Sequence, residues 1–241
     1  MADTNPSSSP SRRGRGSRAG LTTARIVDAA RGLDAETITV KAVADRLGVD
    51  RAAVHHHVSD LDTLRELIAL DAFVGNLGPV TIPPDADWRQ ACRLLALSMH
   101  DAVLASKGLG VYIRLTSANV ALLEPVEDTL RIMIAAGFDD ETAASSLAAL
   151  ATLAGAIARE RLVAERSSGH PQLPELQHAL DEADPTSLTI LRRLAHADLV
   201  SFNDAQLHTS LDLFLDGMAT RLGLIAPLGE AKPSRRLSGT A

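Results

Sequence analysis

The stretch that decides the fold is "VKAVADRLGVDRAAVHHHV", Val40 to Val58. Two helices that cross steeply need a small residue where they touch, and Ala44 supplies one. The turn between them needs a residue that tolerates positive φ, and Gly48 supplies it. The second helix needs an apolar anchor on the first, and Val54 supplies it, with Val43 and Leu47 completing the inner face. Thr39 and Asp50 stand where N-caps belong. The pattern is a helix-turn-helix, whose second helix enters a major groove.

Outward from this stretch, the apolar spacing of Ile26, Val27, Ala30 and Leu33 predicts a first helix over about 22–32. Asp60 is expected to cap a fourth, with the stripe Leu64, Leu67, Ile68 and Ala72. "GNLGPVTIPPDAD", residues 75–87, reads as a linker. A larger helical unit follows. Its helices are expected over about 88–106, 109–117, 120–136, 141–166, 186–200 and from a capping box at Asn203 and Gln206 onward, with "SSGHPQLP" as loop. The expected organisation is an Arg-rich disordered tail (1–20), a helix-turn-helix unit (21–75), a helical ligand-binding and dimerisation unit (85–225) and a flexible tail (226–241).

Composition agrees with an all-α fold. Hydrophobic residues make up 46% of the 241 and aromatics only 2%, so alanine and leucine carry the core and favour helices over strands. One cysteine, Cys92, leaves no internal disulfide and no cysteine-rich zinc site. No signal-peptide pattern and no apolar run near the ~18 residues of a membrane span are read, so a cytoplasmic protein without membrane association is expected. The net charge of −6 argues against nucleic acid as a partner. The basic block is the tail, where four arginines face one aspartate, whereas residues 21–75 hold six basic against nine acidic residues. A DNA-binding reading therefore rests on the geometry of the motif.

Three consecutive histidines, His55, His56 and His57, admit several roles. On a helix they point about 100° apart, so they do not converge on one metal, and no metal or cofactor is expected. They face DNA, with His57 meeting a phosphate, or one of them packs between helices. Arg51, at the start of the second helix of the motif, is the best reader of base edges; the bland alternative is a surface arginine paired with an acid. Thr39 and Lys41 sit at the start of the first helix, as operator contacts or as a plain cap and a solvated lysine. Ala52 and Ala53 complete the reading face.

"ITVKAVADRLGVDRAAVHHHVSDLDTLREL" resembles the DNA-binding unit of the TetR family of bacterial transcriptional repressors. Leu47-Gly48-Val49, Val54, His57-Val58 and Leu64 carry the match. "PVEDTLRIMIAAGFDDETAASSLAALATLAGAIARERL" resembles, more loosely, the ligand-binding half of the tetracycline-repressor subgroup. Three features depart from the pattern. His55 replaces the usual tyrosine, Leu61 replaces a phosphate-binding lysine, and "GLDAETI" is a short connection. The arginine tail is expected to supply the missing phosphate or minor-groove contacts.

The resemblance implies a homodimeric repressor that binds a palindromic operator and is released by a small molecule. The effector pocket is expected among the C-terminal helices, with Met99, His100, Tyr112, Arg114, Asn119, Met133 and His196 as candidates, each with a bland alternative in the core or at the surface. Few aromatics imply a largely apolar effector. His100 and Asp101, being adjacent, are expected to point apart. Dimerisation is expected through Leu147, Leu150, Ala154 and Ile157 on the long helix and Leu207, Leu211, Phe214 and Met218 on the last, although these stripes must partly face the monomer core. A rival enzyme reading finds no GxSxG, HExxH, P-loop or CxxC. A helical partner-binding protein with a weakened DNA-binding unit is the remaining alternative.

Overall fold

The computed structural model describes residues 20–33, 37–167, 169–197 and 202–223. The described residues form helices and no strand. The expected tails, part of "GLDAETI" and the end of the helix expected to reach residue 200 lie outside them.

The head contains α1 (Thr23–Arg31), α2 (Val40–Leu47), α3 (Arg51–His55) and the start of α4 (Leu61–Asn76). Each begins at a side-chain cap. Thr22, Thr39, Asp50 and Asp60 accept backbone N–H bonds from Arg25, Ala42, Ala52 and Thr63, which satisfies donors that a helix start leaves unpaired. Gly48 lies at φ 65°, ψ 31°, the left-handed conformation that the turn demands. Ile26, Ile38, Val43, Ala44, Val54, Val58, Leu64 and Ile68 form one buried cluster. Burying such side chains contributes about 1.5–3 kcal/mol each for the larger ones.

The body contains α5 (Trp88–Ala105), α6 (Glu124–Ala135), α7 (Asp140–Arg166), α8 (Gln172–Glu182), α9 (Thr189–Ala195) and α10 (Asp204–Arg221). Asp87 and Gln90 make a full capping box at α5. Trp88 meets Phe138 edge-on at 5.1 Å, and α5, α6, α7 and α10 share a core that includes Leu95, Met133, Leu150 and Leu211.

Several elements differ from expectation. The helix expected over 109–117 is a 3-10 turn, Leu109–Tyr112, and 120–136 opens with another, Val120–Leu123. The supposed loop "SSGHPQLP" runs into α8, whose Pro174 sits in the first turn, where its missing N–H costs nothing. At α10, Gln206 donates its N–H to Asn203 while its side chain accepts from Phe202 rather than closing the expected box. By length and composition α7 is apolar enough to cross a membrane, a run that residue-by-residue reading passed over. Its leucines Leu147 and Leu150 lie in the body core.

The residues expected at the dimer interface are mostly covered within the single chain. Leu147, Leu150, Ala154, Ile157, Leu207, Leu211 and Met218 are buried within this one chain, where α5, α6, α7 and α10 pack together. A side chain already withdrawn from water has almost no area left for a second copy. Phe214 alone of the eight is half-buried.

The head is also completed from outside residues 21–75. Leu109 is buried in the head cluster, and Tyr112 and Ile113 pack on it. Around this strap, Lys107 donates to the Leu33 carbonyl, Arg65 donates to the Tyr112 hydroxyl at 3.2 Å and lies over its ring, and Arg114 pairs with Glu66.

Candidate nucleic-acid interface

The starts of α2, α3 and α4 converge on one open hollow of about 570 Å³, lined by Thr39, Val40, Lys41, Arg51, His55, Ser59, Asp60 and Leu61. The convergence follows from the head's core. Val40, Val43 and Val54 point inward, which turns Lys41, Arg51 and His55 outward. Helix starts carry partial positive charge, and Lys41 and Arg51 add two full charges, so the mouth favours an anion although residues 21–75 are acidic in sum.

The side chains are ordered by local bonds. Arg51 Nε donates to His55 Nε2 at 3.1 Å. His55 Nδ1 meets the Val58 carbonyl at 3.2 Å. Asp60 accepts from the Thr63 N–H at 2.7 Å and from the Ser59 hydroxyl at 3.2 Å. The Thr63 backbone bond, then the Thr63 side chain, hold the Asp60 carboxyl below the usual carboxylate range. Asp60 is thus an ionised cap, its charge engaged by the first turn of α4 and offsetting part of the positive charge of Lys41 and Arg51.

Of the residues expected at DNA, Thr39, Lys41, Arg51 and His55 lie together around the hollow. Ala52 is exposed and Ala53 half-buried on the same short helix, while His56 and His57 are exposed at its end. The histidines occupy the last residue of α3, its C-cap and the turn beyond. Ser59 was not anticipated. Its position beside the Asp60 cap is a signal that could have found it.

The effector candidates are spread over several elements. Tyr112 and Arg114 belong to the strap, the latter paired with Glu66 rather than orienting a ligand. Asn119 closes a turn, accepting from Thr116 N–H and donating to the Arg114 carbonyl. His196 is exposed and meets Asp181 at 3.1 Å. Met133 is fully buried beside Cys92, and Met99 is half-buried. His100 is different. It is only 3% exposed, and contrary to expectation its Nδ1 reaches Asp101 at 3.0 Å. A carboxylate only accepts, so Nδ1 carries a proton in this bond. The buried Nε2 has no partner. Among the described residues no three His, Cys, Asp or Glu side chains are grouped to hold a metal ion. Burial, and secondarily Asp87, push the Cys92 thiol up to about 12, so it is protonated and poorly nucleophilic.

A helix-turn-helix head on a helical body defines a class of DNA-binding regulators. The family model described as tetracyclin repressor-like, C-terminal domain, matches residues 81–222. The chain belongs to the TetR family of transcriptional regulators, proteins that typically repress, bind DNA and respond to ligands. A possible TetR family regulator from Streptomyces coelicolor A3(2) is similar in fold, with a TM-score of 0.69 at 22% identity over 83% of this chain and 100% of that one. The S. coelicolor TetR family protein ActR, solved with (S)-DNPA, gives 0.62 at 24% identity over 84% and 99%. A TetR variant from Acinetobacter baumannii AYE, solved with minocycline, gives 0.60 at 20% over 87% and 98%. The comparison with curated proteins found no match.

Proposed function

We propose that this protein is a ligand-responsive repressor that binds a palindromic operator as a homodimer in the cytoplasm and leaves it when a small molecule binds the body. The observation that carries the reading is the outward hollow at the starts of α2, α3 and α4, where Thr39, Lys41, Arg51 and His55 stand together. Lys41 and Thr39 suit phosphates; Arg51 suits guanine, whose O6 and N7 accept two hydrogen bonds.

For the dimer, the outward faces of α7 and α10 replace the buried stripes. Ala144, Ala148 and Thr152 on α7, and Ala205, Thr209, Leu213 and Gly217 on α10, are exposed at four-residue spacing. Small side chains let helix axes approach, and Leu213 is 70% exposed. For the effector, the unpartnered His100 Nε2 favours a largely apolar molecule with one polar group to meet it. Relatives solved with (S)-DNPA and minocycline support a small-molecule site in this fold.

Selection from a random duplex pool tests the reading. Wild-type protein is expected to enrich a palindrome, and Arg51→Ala to relax one position in each half-site, a loss of about 1–3 kcal/mol of discrimination. Absence of any enriched sequence at low salt would leave a partner-binding protein instead.

A further inference from the structure

We infer that His55 positions Arg51 for base reading and makes that reading depend on the histidine's proton. The inference rests on the DNA-reading function proposed above. The Val58 carbonyl is an acceptor, so His55 Nδ1 must carry hydrogen to bond it at 3.2 Å. The Arg51 Nε–H is a donor, so His55 Nε2 must be bare to accept it at 3.1 Å. Only one neutral tautomer satisfies both bonds.

That tautomer tethers the guanidinium by Nε and leaves its two terminal amino groups to form a fork. A second proton on the ring removes the acceptor and sets an imidazolium against the arginine. Arg51 then swings away from the position in which the fork is held. The other charged groups around the hollow act in both directions. Lys41 from α2 and Arg51 from the same helix oppose the proton, whereas Asp60 at the start of α4 favours it. Asp50, the cap of α3, adds a further carboxylate on the same element. His56 and His57 are both exposed beside the hollow, and any positive charge on them strengthens binding to every duplex alike. Discrimination between bases, not total affinity, is therefore the quantity that reports on His55.

The test uses the full chain and the palindromic duplex enriched by the wild type. A second duplex has the Arg51-dependent base pair replaced. The ratio of the two affinities is measured from about pH 8 to about pH 5.5, the span in which an imidazole ordinarily takes its proton, for wild type, His55→Gln and His55→Leu. The wild-type ratio is expected to fall at least roughly fivefold on acidification. His55→Gln is expected to hold its ratio throughout, because the amide oxygen accepts from Arg51, the amide N–H donates to Val58 and neither takes a proton. His55→Leu is expected to show a lowered ratio at every pH. A flat wild-type ratio, or a glutamine variant that falls with the wild type, overturns the inference while leaving DNA reading intact. If no duplex is enriched, or Arg51→Ala relaxes no position, the DNA-reading assignment of Arg51 fails and this inference with it.

Discussion

At Gly48 the reason for a residue's identity is separable from its packing. A Cβ there would meet nothing within 4 Å, yet φ is 65°. Gly48→Ala should therefore lower stability by the backbone term alone, about 1–2 kcal/mol, without a cavity or clash; equilibrium unfolding in urea measures it. This glycine was legible in the sequence, as were the caps Thr39, Asp50 and Asp60, because each answers a local demand of the chain. The bond between Arg51 and His55 was not. Four-residue spacing on a helix allows such a contact, but whether the histidine offers a lone pair depends on the Val58 carbonyl beyond the helix end.

Elements were legible where their apolar spacing was regular and their ends were capped. α8 was missed because its start reads as Ser, Gly and Pro, and the strap was read as a helix because nothing local shows that Leu109 belongs to the head. Its burial there makes Leu109→Ala a test of the connection. The substitution should cost about 2–5 kcal/mol and loosen the head, read as a lower unfolding midpoint and weaker DNA binding, although residue 109 lies well outside the reading surface. The contacts of Tyr112 with Arg65 and of Arg114 with Glu66 also give a change in the body a direct route to α4, and the bond of Lys107 to Leu33 gives one to the end of α1. If effector and operator bind in different conformers, each must weaken the other by the same factor.

For the whole molecule, the sequence showed which helix faces are apolar but not what covers them. The stripes on α7 and α10 are regular, and regularity alone cannot distinguish a core within the chain from an interface between chains. The faces still exposed carry the dimer proposal. Leu213→Asp should convert a dimer to a monomer in sedimentation velocity while leaving helix content unchanged, since Leu213 is 70% exposed in the single chain. A monomer carries one reading head, so affinity for a full palindrome should fall to that of a half-site.

The burial of Cys92 has a practical consequence. It is the chain's one cysteine, sealed in the core, so the folded protein is close to silent toward maleimides and methanethiosulfonates. A cysteine introduced at an exposed position of the head, for instance Asp45→Cys, becomes the single attachment point for a spin label on each copy. The separation of two such labels in a dimer gives the spacing of the heads as a ruler reading, before and after an effector is added, without stripping the native sulfur from the fold.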